Sequence, residues 1–305
     1  MVALRLDTVV KRFGDFTAVN DLSFAVEPGE VFGFLGGNGA GKTTSLRMVL
    51  DILRPDRGSI DVLGKPPGRG TSARLGFLPE ERGLYRSMTA IDTIVYFARL
   101  KGMTATDARR EGLVLLDRFG LGNFAKTTVD KLSKGMAQKV QLATAIVNKP
   151  DLLILDEPFS GLDPVNQGLL EDEIVGAAKG GAAVVFSTHV MQHAERLCDR
   201  LLFLAHGRKQ FEGTQDGARA TLPVRLTLVA QQSPATLPGA EGATETAAVG
   251  DGWQAWDVRL VPGGDPADLL QLCTAQGFAL RGFEQHRAST HDVFLHIVGG
   301  AEARP

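Results

Sequence analysis

Residues Gly36 to Thr44 read Gly-Gly-Asn-Gly-Ala-Gly-Lys-Thr-Thr. The stretch fits the pattern G-x-x-x-x-G-K-[ST] on Gly36, Gly41, Lys42 and Thr43. Its residue types suit one task, the holding of a phosphate chain. Many N–H donors must come close to the anion, and glycine lets the backbone approach with no Cβ in the way. The candidate cradle is Gly36, Gly37, Asn38, Gly39, Ala40, Gly41, Lys42, Thr43 and Thr44. Within it Lys42 adds a mobile cation for the β- and γ-phosphates, and Thr43 offers Mg²⁺ a hard oxygen. The flanks agree. Val31 to Leu35 is a short apolar run, as a buried strand would be, and Ser45 to Leu53 has helical apolar spacing. Strand, loop and helix in that order place the loop at a helix N-terminus, where the dipole favours an anion.

Working outward, Leu4 to Val10 and Ala18 to Val26 read as strands, with Lys11 to Asp15 as the turn between them. Ser59 to Leu63 and Arg74 to Leu78 read as further strands, separated by a Gly- and Pro-rich loop over Pro66 to Thr71. From Thr89 to Gly122 the pattern is helical, and Leu132 to Met136 opens another helix. Leu152 to Leu155 is four apolar residues in a row, the mark of a strand buried on both faces of a parallel sheet. Asp156 and Glu157 stand at its C-terminal end, where open α/β sheets bind their ligands. Ala182 to His189 repeats the pattern and ends on a histidine, and Leu201 to Ala205 is one more strand.

Composition shifts after Gly213. Between Pro223 and Gly264 there is much Gly, Ala, Thr and Pro and no lysine. Val224 to Leu228 and Trp253 to Leu260 alternate like antiparallel strands around a turn at Gly250 to Gly252. Asp265 to Gln276 reads as a helix, Ala279 to Phe283 as a strand, and Ser289 to Asp292 as a capping box for a last helix. The expected organisation is therefore an α/β domain over residues 1–217 and a small α+β domain over 218–305.

Bulk properties limit the function classes. Hydrophobic residues make up 44% and charged residues 22%, which is ordinary for a soluble globular chain. A formal net charge of −2 gives no reason to expect a nucleic-acid partner. Cys198 and Cys273 are the only cysteines, too few and too far apart for a disulfide framework or a metal cluster, so a cytoplasmic setting is expected. The first residues lack the apolar core of a signal peptide, and no apolar run is long enough for a membrane span.

Five stretches follow one another: Gly36 to Thr44, Leu132-Ser133-Lys134-Gly135-Met136, Leu155-Asp156-Glu157-Pro158, Ser160-Gly161-Leu162-Asp163-Pro164, and Ser187-Thr188-His189. This ordered set resembles the ATPase subunits of ABC transporters over roughly the first 215 residues. Gly76 to Tyr85, together with the appended small domain, looks most like single-ATPase exporters of the sodium-extrusion (NatA-like) and drug-resistance groups. The resemblance implies a P-loop nucleotide-binding fold with antiparallel β and helical subdomains. It also implies ATP hydrolysis with Mg²⁺, separate membrane subunits on the inner face of the cell membrane, and a head-to-tail pairing with a second ATP-binding subunit.

By the same resemblance Phe13 stacks on adenine, Thr43 and Asp156 hold Mg²⁺ with Glu80 as a further ligand of the ion or its water, and Glu157 polarises the attacking water. His189 contacts the γ-phosphate. Ser133 and Gly135 complete the site of the second copy, and Asp163 communicates across the pair. Departures from the family pattern are Gly37 for the usual proline, Lys134 and Met136 in the signature, and Glu80 for a glutamine. Two other classes fit parts of the pattern: a soluble ABC ATPase without transport, and an ATP-sensing module with little hydrolysis.

Overall fold

The computed structural model describes residues 2–81 and 83–302. Arg82, inside the Gly76 to Tyr85 stretch, lies outside the described residues. Two compact units part between Gln215 and Asp216, two residues ahead of the 217/218 boundary expected from composition.

The first unit opens with β1 (Leu4–Phe13), β2 (Phe16–Val26) and β3 (Val31–Leu35), and then the loop and α1 (Lys42–Val49). Strand β4 (Arg57–Val62) follows, then α2 (Arg69–Ser72) inside the expected loop, then β5 (Leu75–Leu78). The hairpin β1–β2 and β4 form an antiparallel sheet ordered β2-β1-β4. Strand β1 runs on to Phe13, so the turn is confined to Gly14 and Asp15, tighter than the sequence pattern predicts.

Helices α3 (Ala90–Leu100), α4 (Ala105–Arg118) and α5 (Lys134–Ile146) come next. The expected helical stretch from Thr89 to Gly122 is two helices because it contains two caps. The hydroxyls of Thr89 and Thr104 each accept from the N–H three residues on, at Asp92 and Asp107.

The remaining elements are β6 (Leu152–Asp156), α6 (Pro164–Lys179), β7 (Ala183–Thr188), α7 (Met191–Leu197), β8 (Arg200–Ala205) and β9 (Arg208–Gly213). The second sheet is ordered β5-β6-β7-β3-β8-β9 and is parallel except at β9. Every residue of β3, β6 and β7 is buried, which is why these strands read as unbroken apolar runs. Phe32, Phe34, Ile154 and Val185 join Leu4, Leu6 and Leu22 of the antiparallel sheet and Leu46 and Met48 of α1 in one core. That core fixes the C-terminal ends of β3, β6 and β7 side by side.

In the second unit α8 (Gln215–Arg219) contains the division, followed by β10 (Arg225–Ala230), β11 (Ala240–Gly250), β12 (Trp253–Leu260), α9 (Pro266–Ala275), β13 (Leu280–His286) and α10 (Thr290–Glu302). The four strands form an antiparallel sheet ordered β11-β12-β10-β13. One face buries Leu226, Leu228, Val258 and Leu260 against Leu269 and Cys273. Strand β11 escapes sequence reading because it is mostly small, exposed residues with little apolar alternation. Among the described residues no helix is long and apolar enough to cross a membrane.

Candidate active site

The loop after β3 is wedged between two strands. A Cβ on Gly41, whose φ is +106°, would lie 2.4 Å from the Ala18 carbonyl oxygen of β2, and one on Gly36 would lie 2.5 Å from the Leu204 carbonyl oxygen of β8. Glycine is therefore required at both positions by space, and at Gly41 by backbone conformation as well. Gly41 is the N-cap of α1, so the first turn, Lys42 to Thr44, carries N–H groups with no partner inside the helix. Asn38 and Gly39 form the exposed lip of the loop, whereas Ala40 is buried. At Gly37 an added Cβ would meet nothing within 4 Å, so the missing proline leaves the packing intact.

Sequence reading aims Lys42 at a phosphate. The structure finds it buried over its own loop. Its Nζ donates to the carbonyls of Gly36 at 2.7 Å and Gly37 at 3.2 Å and lies 3.5 Å from Glu157 Oε1. Glu157 Oε2 is 2.9 Å from His189 Nδ1. The carboxylate is thus held between a buried ammonium and a half-exposed imidazole. Glu157 has a φ of +48°, a left-handed conformation that is costly for a residue with a side chain, roughly 1–2 kcal/mol. A parallel strand beside β6 holds it there: the Glu157 N–H donates to the Ser187 carbonyl at 3.2 Å and to Ser187 Oγ at 3.1 Å.

Asp156 is buried, and its Oδ1 accepts from Ser187 Oγ at 2.5 Å and lies 3.5 Å from Thr43 Oγ1. Ser187 therefore touches both members of the acidic pair. Sequence reasoning quoted it only as part of the run to His189. The missing signal is register, since Asp156 and Ser187 are direct partners across β6 and β7.

Ser133 caps α5, its hydroxyl accepting from the Met136 N–H at 3.3 Å. A Cβ on Gly135 would stand 3.1 Å from Asn166 Nδ2. Asn166 in turn is bound to Asp163, the N-cap of α6, whose carboxyl the Asn166 N–H holds below its ordinary range. The signature run and Asp163 are thus brought together. Among the described residues no contact joins Ser133 or Gly135 to the phosphate loop. Glu80 lines a cleft of 230 Å³ with Lys134, Gln138, Gln141, Glu157 and Ser160, a lining that includes neither Thr43 nor Asp156. Phe13 stands at the hairpin tip opposite Phe16, half exposed, with Lys11 Nζ 5.6 Å from its ring centroid.

The family profile described as ABC transporter matches residues 19–160. The chain is 38% identical over 297 residues to the uncharacterized ABC transporter ATP-binding protein YhaQ of Bacillus subtilis, covering 97% of this chain and 98% of that protein. The chain belongs to the ATP-binding subunits of ABC transporters. It is also 44% identical over 208 residues to Nod factor export ATP-binding protein I of Burkholderia orbicola, covering 67% of this chain and 68% of that one. Among solved structures, an ATP-binding subunit of an ABC transporter matches with a TM-score of 0.68 and 31% identity, over 72% of this chain and 92% of its own. A nucleotide-free ATP-binding cassette at 21% identity and a TM-score of 0.62 supports the fold alone. As a family member the chain is an ATPase coupled to transport, and it works with membrane partners.

The hard-oxygen donors fit Mg²⁺. Thr43 Oγ1 and Asp156 Oδ1 face each other, and no group of three or more His, Cys, Asp or Glu gathers among the described residues. That set suits an ion that keeps most of its waters and shares a substrate's phosphates.

Proposed function

We propose that this ABC ATP-binding subunit hydrolyses ATP to drive export through separate membrane subunits, in the manner of single-ATPase exporters of the sodium-extrusion or drug-resistance type. The observation that carries the hydrolytic part is the Lys42–Glu157–His189 cluster beside the phosphate loop. The export direction rests on the likeness to a Nod factor export protein.

In this reading the loop from Gly36 to Thr44 cradles the phosphates, and Lys42 leaves Glu157 for them. Glu157, freed of Lys42, accepts a proton from the attacking water, and His189 orients Glu157 and the γ-phosphate. Thr43 and Asp156 would hold Mg²⁺, which neutralises phosphate charge when bound. Phe13 has an exposed ring for adenine to stack on. Ser133 and Gly135 stand apart from the chain's own phosphate loop, which supports a site completed by a second copy, with Asp163 beside them. The chain would then sit on the cytoplasmic face of the membrane, held by its membrane partner. The net charge of −2 fits a protein without a nucleic-acid partner.

The test has two arms. The purified chain should release phosphate from ATP, and Lys42→Ala should abolish this while leaving the circular dichroism spectrum unchanged. The tagged chain should co-purify with a multi-span membrane protein from detergent-solubilised membranes. Equal turnover by Lys42→Ala would refute the hydrolytic reading, and recovery without any membrane partner would refute the transport reading.

A further inference from the structure

Two loops bring a glutamate to one cleft, and each has a proline next to that glutamate. Strand β5 ends at Leu78 and is followed by Pro79 and Glu80. Strand β6 ends at Asp156 and is followed by Glu157 and Pro158. The two strands are parallel neighbours. Past Leu78, and past Glu157 whose N–H still bonds to Ser187, the ladder no longer holds the chain, and each proline removes one N–H that could anchor it. The carbonyls there need donors from elsewhere.

Helix α5 supplies them. Lys134, Gln138 and Gln141 are spaced i, i+4, i+7 and share one face of the helix. Gln138 Nε2 donates to the Pro158 carbonyl at 3.0 Å. Gln141 Nε2 donates to the Glu81 carbonyl at 3.2 Å and reaches the Pro79 carbonyl at 3.5 Å. Gln141 is 4% exposed, and an amide with two N–H groups can serve two carbonyls at once. Lys134 ends the stripe, and among the described residues it is the one cation lining the cleft that Glu80 and Glu157 also line.

We propose that Gln138 and Gln141 are positioning residues for ATP hydrolysis, which hold the main chain on both sides of Glu80 and directly after Glu157 from a single face of α5. The inference rests on Glu157 being the base. Its consequence is mechanical. The same helix begins at Ser133, so a shift of the signature run carries both carboxylate loops with it. Pro79 and Gln141 also line a second, largely apolar cleft of 420 Å³ with Phe77, Leu84, Phe97 and Leu100. Gln141 and Pro79 therefore stand between that cleft and the one lined by Glu80 and Glu157.

The experiment measures steady-state ATP hydrolysis by the full chain for Gln138→Leu, Gln141→Leu and Glu157→Gln. Leucine keeps the bulk and removes the donors. A loop displaced by about 1 Å can cost as much as a hundredfold in rate, so kcat should fall at least ~tenfold in both leucine variants. KM for ATP should stay within ~threefold, because neither amide touches the phosphate loop. Gln138→Glu, equal in size but unable to donate when ionised, should be as slow as Gln138→Leu. A purely structural role would lower the melting temperature without this split or this failure of rescue. If Gln141→Leu does not fold, half-buried Gln138 decides the matter. Unchanged kcat in Gln138→Leu beside a crippled Glu157→Gln overturns the proposal alone. Undiminished turnover in Glu157→Gln overturns the assignment of the base, and the proposal with it.

Discussion

Replacing Glu157 by Gln tests the chemistry most directly, and the structure sets what to expect. Gln keeps the size, the left-handed backbone cost and a hydrogen bond to His189, and it removes the proposed base. General-base contributions are typically about a hundred- to ten-thousandfold, so turnover should fall at least a hundredfold. Binding should behave differently. Glu157 Oε1 lies 3.5 Å from Lys42 Nζ, with both side chains buried. The gross attraction at that distance is about 5 kcal/mol for an effective dielectric near 20, and desolvation offsets most of it. In the native protein phosphate must win Lys42 from this carboxylate. In Glu157→Gln it need not, so ATP affinity should hold or rise, by up to ~tenfold if about 1.4 kcal/mol of the attraction is net. Phosphate release at saturating ATP and equilibrium binding of a fluorescent ATP analogue measure the two effects separately. With hydrolysis blocked, Mg-ATP should also shift the variant toward a dimer on size exclusion, and adding Ser133→Arg should reverse the shift. Undiminished turnover would remove Glu157 as the base. A tenfold loss of ATP affinity would show that Lys42 is not in competition between carboxylate and phosphate.

Two further outcomes follow from one buried and one half-buried group. Ser187→Ala breaks the bond to Asp156 and one of the two bonds from the Glu157 N–H; it should cost about 1–3 kcal/mol in urea unfolding and slow turnover at least tenfold. Burial brings the Lys101 ammonium down to about 8 from an ordinary 10.5. Between those values the unfolded chain binds a proton that the folded chain has released, so stability should rise with pH from about 8 to 10.5. Lys101→Met should flatten that rise and stabilise the protein at pH 7 by of order 1 kcal/mol, as read by thermal unfolding in a pH series.

The parts legible in the sequence are those whose residue types are forced locally. Gly36 and Gly41 are forced by contact with neighbouring backbone, and β3, β6 and β7 by burial on both faces. The start of α5 is legible at Leu132 to Met136, where the Ser133 hydroxyl bonds three residues along. What is not legible depends on register or on faces that no periodicity marks. Ser187 matters because it stands opposite Asp156 in a neighbouring strand. Gln138 and Gln141 look like ordinary helix surface until α5 is seen to pass the ends of β5 and β6. Helix α6 buries only the row Leu170, Ile174 and Ala178, and apolar residues such as the exposed Val165 lie elsewhere on it, so the pattern does not mark it clearly. The motif aims Lys42 at phosphate, and the carboxylate that holds it here comes from far along the chain.

The acidic pair shows how adjacency in sequence becomes division of labour. In a strand, Asp156 and the next residue would project to opposite faces, and only one could reach the phosphate loop. The strand ends at Asp156, and the turn to a φ of +48° at Glu157 brings the second carboxylate round to the same side. Two consecutive acids then meet two consecutive residues of α1. Asp156 faces Thr43 at 3.5 Å and Glu157 faces Lys42 at 3.5 Å. The cation-facing acid is thereby separated from the acid beside the hydroxyl, so one can take a proton while the other stays with hard-oxygen ligands. The backbone strain that makes this possible, roughly 1–2 kcal/mol, is held by two hydrogen bonds from the Glu157 N–H to Ser187. A glycine at 157 would relieve the strain and lose the carboxylate, so the cost stays where the chemistry requires it.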